Sequence, residues 1–83
     1  MHRIPRDISA NLLIIKLQMY DYQIVRKKGS HIRLKSDIMG KTHYITNPDK
    51  ISIKVGTLNS ILKDISIYLK ISKEELIQSL FDK

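Results

Sequence analysis

Residues 22–36 read YQIVRKKGSHIRLKS, and the reading of this stretch as a hairpin decides the architecture of the chain. "YQIVRKK" and "SHIRLKS" are rich in β-branched and alternating residues, and Lys28 and Gly29 between them supply a turn, so the stretch predicts two antiparallel strands. Successive strand side chains point to opposite faces, which sends Ile32 and Leu34 to one side and His31, Arg33 and Lys35 to the other. The apolar pair takes the core; the basic set takes an outer face. With a two-residue turn at Lys28 and Gly29, Arg26 falls opposite His31 on that face.

Upstream, Asp7 or Ser9 can cap a helix through "ANLLIIKLQMY", residues 10–20, in which Leu13, Leu17 and Tyr20 share one stripe and Ala10, Ile14 and Leu17 another. It should stop near Asp21, a residue type that tolerates a left-handed turn. Downstream, "DIMGK" turns the chain into a third strand, "THYITN", which ends at Pro48 because proline cannot donate to a sheet ladder. From Thr57 the spacing Leu58, Ile61, Leu62, Ile65, Tyr68, Leu69 predicts an amphipathic helix, with Gly56 and Thr57 as its turn and N-cap. Ser72 and Glu75 make a capping box, with Ile71 and Leu76 as a hydrophobic staple, and so start a short additional C-terminal helix. The expected fold class is α+β, in the order α-β-β-β-α plus that short helix, with a three-stranded antiparallel sheet packed on the helices.

A chain of 83 residues that is 42% hydrophobic has material for one modest core, so a single domain over residues 1–83 is expected. The absence of cysteine removes disulfides, thiolate catalysis and sulfur-ligated zinc, and suits a reducing compartment. The N-terminus, "MHRIPRDIS", is charged, and the longest early apolar run, Leu12 to Ile15, is far too short for a signal peptide or a membrane span. A soluble, cytoplasmic protein with no membrane partner is the expectation. The net charge of +7 favours polyanionic partners. Residues 1–35 hold eight Lys or Arg against two Asp, residues 36–83 seven against six acids, and five of the basic residues lie between Arg26 and Lys35 with no acid among them.

Within that basic run His31 is the chemically versatile residue. Imidazole titrates near neutrality and can take a proton from a ribose 2′-hydroxyl or give one to a leaving oxygen, and neighbouring Lys and Arg can offset charge developing on a phosphodiester. On the residues alone a half-solvated strand shows the same pattern, and that plain reading leads. His43 shares a face with Ile45 and reads as a buried or edge histidine with a satisfied hydrogen bond; His2 lies in a terminus expected to fray. The three histidines lack metal-ligand spacing, so no metal site and no cofactor are assigned. Gly29 precedes a strand rather than a helix and is a turn residue, not part of a P-loop. Thr57 is at most an auxiliary phosphate contact at a helix start. Tyr44 can stack on a base if its face is open, with core packing as the alternative.

"RKKGSHIRL", "HYITNP" and "KVGTLNSIL" together resemble the HicA-type mRNA interferase toxins, also called YcfA-like proteins, over about residues 6–80. The shared pattern is an aromatic residue after the first helix, then R-x-x-G-S-H, a third strand ending in proline, and G-T-L-x-x-I-L opening a helix. The resemblance implies a fold like that of double-stranded-RNA-binding domains (dsRBD-like), translation-independent cleavage of mRNA, and neutralisation by a HicB-type antitoxin. It makes His31 the catalytic residue, Gly29 and Ser30 the turn that presents it, and Arg26 the basic position before that turn. The chain departs from the family at Asp21, where a glycine is common, and at Lys50, where many members carry a histidine; a lysine supplies charge but shuttles protons less readily at neutral pH, so reduced activity is expected. The leading expectation is therefore a metal-independent endoribonuclease in which His31 is general acid or base. Arg26, Arg33 and Lys35 would grip phosphates, and Lys27, Lys28 and Lys41 would steer RNA. A non-catalytic RNA-binding module and a protein-interaction domain that docks an acidic partner are the alternatives.

Overall fold

The computed structural model describes residues 4–81; His2 lies outside them. Helix α1 spans Ala10–Leu17, and the Ser9 hydroxyl caps it by accepting the Leu12 N–H at 3.0 Å. A 3₁₀ turn, Gln18–Tyr20, follows and ends where Asp21 adopts the left-handed conformation, φ +64°. That reversal drops Tyr22 into the core, fully buried, immediately before the sheet.

Three strands follow, β1 (Gln23–Lys28), β2 (His31–Ser36) and β3 (His43–Pro48), antiparallel in the order β1-β2-β3. Their pairing corrects the expected hairpin by one residue. Lys28 pairs with His31, so the turn is Gly29–Ser30, and Arg26 sits opposite Arg33 rather than His31. Gly29 has φ +58°, and Ser30 has no positive φ, which puts the left-handed residue at the first central position of the turn, as a II′ hairpin requires. A bulge at Val25, between the paired residues Ile24 and Arg26, sets Ile24 opposite Leu34 and Gln23 opposite Lys35 and so reverses the facing of the residues ahead of it.

β2 is the central strand and obeys alternation closely: Ile32, Leu34 and Ser36 are buried, whereas His31 and Arg33 are exposed and Lys35 half-buried. In β3 Ile45 and Asn47 face inward and Tyr44 and Thr46 outward. β1 is exposed along its whole length, Ile24 and Val25 included, because it forms an edge strand that the helical layer does not cover.

Helix α2 spans Val55–Leu69 and α3 spans Lys73–Phe81. α2 begins two residues earlier than its apolar stripe implies: Lys54 is its N-cap, without a side-chain capping bond, and Gly56 and Thr57 lie in its first turn instead of forming its turn and cap. The Ser72/Glu75 capping box forms as expected, with Glu75 N–H donating to Ser72 Oγ at 3.0 Å and Ser72 N–H to Glu75 Oε1 at 3.4 Å. Leu13 and Leu17 of α1, Leu34 of β2, Leu58, Leu62 and Ile65 of α2, and Leu76 and Leu80 of α3 are fully or almost fully buried in one cluster under the sheet. Removing a side chain such as Leu34 should cost about 2–5 kcal/mol, a large share of what a small domain possesses. Among the described residues, no helix is long and apolar enough to cross a membrane.

His43 ties three elements together. Its Nδ1 lies 2.7 Å from the Tyr22 hydroxyl, its Nε2 3.4 Å from an Asp64 carboxylate oxygen, and its ring stacks on Tyr68 with centroids 4.6 Å apart. With a proton on Nε2 facing Asp64, Nδ1 accepts from the phenol, so the histidine is satisfied as expected and belongs to the scaffold. Burial, with smaller contributions from Tyr68 and Asp64, pushes the Tyr22 pKa well above that of an ordinary phenol. The unfolded chain releases that proton from about pH 10 upward while the folded chain retains it, so stability is full below that pH and declines above it. Unfolding titrations between pH 8 and 12 should show this decline, and Tyr22→Phe should flatten it while lowering neutral-pH stability by about 1 kcal/mol through the lost hydrogen bond to His43.

Candidate functional site

The Gly29–Ser30 turn delivers His31 to the first position of β2, exposed and opposite Pro48 on β3. Two grooves meet at this residue. The larger, about 410 Å³, is lined by His31, Thr46, Pro48, Lys50, Lys54 and Thr57. The smaller, about 180 Å³, is lined by Arg26, Lys28, His31, Arg33 and Thr46. His31 and Thr46 therefore form the ridge between them.

Backbone hydrogen bonds build the larger groove. Asp49 N–H donates to the Ser30 carbonyl at 2.7 Å, and Lys50 N–H to that of Pro48 at 3.0 Å, folding the chain after β3 back beside the hairpin turn. Ala10 N–H then donates to the Lys50 carbonyl at 2.9 Å and Ile53 N–H to that of Ile8 at 2.8 Å. The connection is thereby fastened to the segment ahead of α1, and the start of α2 arrives with Lys54 and Thr57 on the groove wall. The first N–H groups of a helix have no intrahelical partner and carry partial positive charge, which adds to that of the lysines.

Neither groove has a carboxylate in its lining. An exposed imidazole between two cation-lined grooves can exchange a proton with a bound group while Arg26, Lys28 and Arg33 on one side and Lys50 and Lys54 on the other hold adjacent anionic groups. Among the described residues, no set of three or more His, Cys, Asp or Glu is grouped to hold a metal ion.

The structure brings together His31, Arg26, Lys28 and Arg33, with Gly29 and Ser30 as the turn beside them. It separates three other candidates. Lys27 pairs with Ile32, on the inward side of the hairpin, and its ammonium lies 3.2 Å from an Asp49 carboxylate oxygen. Lys35 shares the outer face but sits farther along β2, with its ammonium 4.0 Å from Asp37. Lys41 lies in the β2–β3 connection, beyond the rung that pairs Ser36 with His43, about 17 Å along the strand from His31. Two groove residues, Thr46 and Lys54, escaped the sequence reading. Thr46 is legible from its alternation with Tyr44, but Lys54 belongs to no motif. Tyr44 is exposed on the outer face, not packed in the core, and the Arg33 guanidinium lies 4.8 Å from its ring centroid.

A family model described as HicA toxin of bacterial toxin-antitoxin matches residues 13–67, more than half of the chain and all of both grooves. No curated protein and no solved structure matches.

The opposite orientations of two adjacent lysines supply a test of the grooves as an anion track. For a single-stranded oligonucleotide used as polyanion probe, Lys28→Ala should lower the slope of log affinity against log salt by about 0.7, the share of one phosphate contact. Lys27→Ala, whose charge is matched by Asp49, should leave the slope nearly unchanged. Equal effects in a salt titration would contradict the placement.

Proposed function

The chain belongs to the HicA toxin family of bacterial toxin–antitoxin systems, and on that premise we propose that it is an mRNA-cleaving endoribonuclease with His31 as general acid–base. The observation that carries the reading is the position of His31: exposed, and shared by two grooves whose charged side chains are all basic. A phosphodiester laid over the ridge meets the imidazole at its centre and cations on both sides.

In this reaction the imidazole removes the proton of a ribose 2′-hydroxyl, and the oxygen so freed attacks the adjacent phosphorus. The bond to the 5′-oxygen breaks, leaving a 2′,3′-cyclic phosphate on one fragment and, once the leaving oxygen takes up a proton, a 5′-hydroxyl on the other. Lys50 and Lys54 from the larger groove and Arg26, Lys28 and Arg33 from the smaller offset the charge that accumulates on the phosphoryl oxygens. Side-chain cations thus serve where other nucleases place a metal. The site of action is the cytoplasm, where mRNA is available.

The protein partner of this reading is a HicB-type antitoxin with an acidic surface seated over the grooves. Such a surface occludes His31 and relieves the mutual repulsion of the cations. Double charge reversal, Arg26→Glu with Lys28→Glu, should weaken the complex, through faster dissociation if both residues are buried in it and slower association if they lie at its rim. Unchanged rate constants at low salt, measured by surface-immobilised binding, would count against this placement.

His31→Ala should leave the melting transition within about 0.5 kcal/mol of the parent chain, because the side chain is exposed, yet lower the cleavage rate on the order of 10²–10⁴-fold. The assay is a long single-stranded RNA incubated with purified protein in chelator, with the fragment ends analysed for cyclic phosphate. A variant that melts normally and cleaves at the parental rate would remove His31 from the catalytic role.

A further inference from the structure

Tyr44 differs from the other tyrosines of the chain. Tyr20 is hydrogen-bonded to Ser79, Tyr22 to His43, and Tyr68 to the backbone carbonyl of Ser36; each is tied into the packing of the helices on the sheet. Tyr44 instead stands on the outer face of β3 with 47% of its surface exposed. An aromatic ring of this size left in water gains nothing for the fold, and the ring is not left bare: Arg33, diagonally across on β2, holds its guanidinium 4.8 Å from the ring centroid, within cation–π range.

Arg33 also lines the smaller groove with His31. Arg33 therefore belongs both to the anion track and to the contact with the aromatic ring. Along β3, Tyr44 lies four residues from Pro48, the partner of His31, on the same face and about 13 Å away. None of the three strands contains an acidic residue; the carboxylate nearest this face that pairs with one of its cations is Asp37, 4.0 Å from Lys35 beyond the end of β2. A planar aromatic ring with a guanidinium over one of its faces, next to a cation-lined groove, is suited to a ligand that carries phosphates and flat π-faces together.

We propose that Tyr44 and Arg33 form a seat for an unpaired nucleobase of single-stranded RNA, one groove away from the phosphodiester held at His31. The inference rests on the RNA-cleaving reading of His31 and adds a substrate class to it. A base in a duplex has both faces covered by its neighbours, so the seat admits single strands and rejects helical RNA. Arg33 serves twice, its charge meeting a phosphate and its plane extending the stack, a combination that lysine lacks. Stacking on an aromatic ring tolerates every base, so the seat selects strandedness rather than sequence.

The test uses the full-length chain carrying His31→Ala, which keeps RNA intact, and two labelled probes of equal length at low salt: a single-stranded oligoribonucleotide and its abasic counterpart. The base-containing probe should bind about tenfold more tightly. Adding Tyr44→Ala should abolish most of that difference while sparing the abasic probe, and Tyr44→Phe should retain it. The preference for single-stranded over duplex RNA should shrink with Tyr44→Ala. Melting curves of each variant establish that the fold persists. Equal loss on both probes, or no loss on either, would overturn the seat while leaving His31 chemistry standing. Failure of both probes to bind the chain before any change at Tyr44 would overturn the RNA reading and the seat with it. Weakened antitoxin binding with unaltered RNA binding in Tyr44→Ala would assign the ring to a protein partner and overturn the nucleobase seat.

Discussion

The register of the hairpin is the constraint on which both sides of the sheet depend. Gly29 takes φ +58°, a conformation that costs most L-residues energy and glycine little, and this fixes a two-residue turn. A Cβ built on Gly29 would meet nothing within 4 Å, so the demand is conformational rather than one of space. From the turn outward, Lys28 must meet His31 and Ile32 must face the helices. Turning β2 over would bring His31, Arg33 and Lys35 into the apolar cluster and expel Ile32 and Leu34. The core and the basic face are thus two consequences of one alternation, and neither can be altered without the other.

Assembling the second groove takes contacts distant in sequence. The strap from Pro48 to Lys54 is fastened at one end to the Ser30 carbonyl and along its length to the segment before α1. Those bonds bring lysines near the arginines of the hairpin. Like charges gathered without carboxylates destabilise a folded chain, and nothing in the packing of the core requires them there. A small domain with modest stability tolerates such a concentration when an anionic ligand or partner supplies the missing charge. Asn47 adds a further cost: its side-chain amide is buried with no hydrogen-bond partner among the described residues, and nothing in the structure explains its place.

Most of the elements were legible because they rest on local periodicity. The stripes of α1 and α2, the Ser72/Glu75 box and the alternation of β2 all came through, and the left-handed Asp21 ended the first helix where expected. What failed to come through depends on pairing. Lys28–Gly29 and Gly29–Ser30 are both plausible two-residue turns to a local reading, and the choice between them moves Arg26 from opposite His31 to opposite Arg33. The same single step takes Lys28 out of the turn and sets it opposite His31 on the site face, whereas Lys27 lies on the other face in both arrangements. Ile24 and Val25 look like core residues by composition, yet the edge position and the bulge at Val25 leave them in water. Lys54 had no local signal at all, because it reaches the groove only through the strap.

Lys50 stands where the sequence resemblance leads to the expectation of a histidine, and its side chain bears on the chemistry proposed for His31. Lys50 lines the larger groove with His31 and Thr46, so it stands where the proposed reading lays a phosphodiester. A histidine there would offer a second exchangeable proton; a lysine ammonium offers a fixed charge at neutral pH. On the proposed reading, stabilisation of the accumulating negative charge is preserved and one imidazole is left for proton transfer. If His31 is the base toward the 2′-hydroxyl, as proposed, the leaving 5′-oxygen must draw its proton from water or, in a later step, from the imidazolium that the first transfer would create. The second route needs the imidazole to reach both sides of the phosphorus, and His31 is the one histidine in the lining of the two grooves. On the proposed mechanism the cost of a lysine there falls on the departure of the 5′-oxygen and not on the attack, and the cationic lining of both grooves is left as it was.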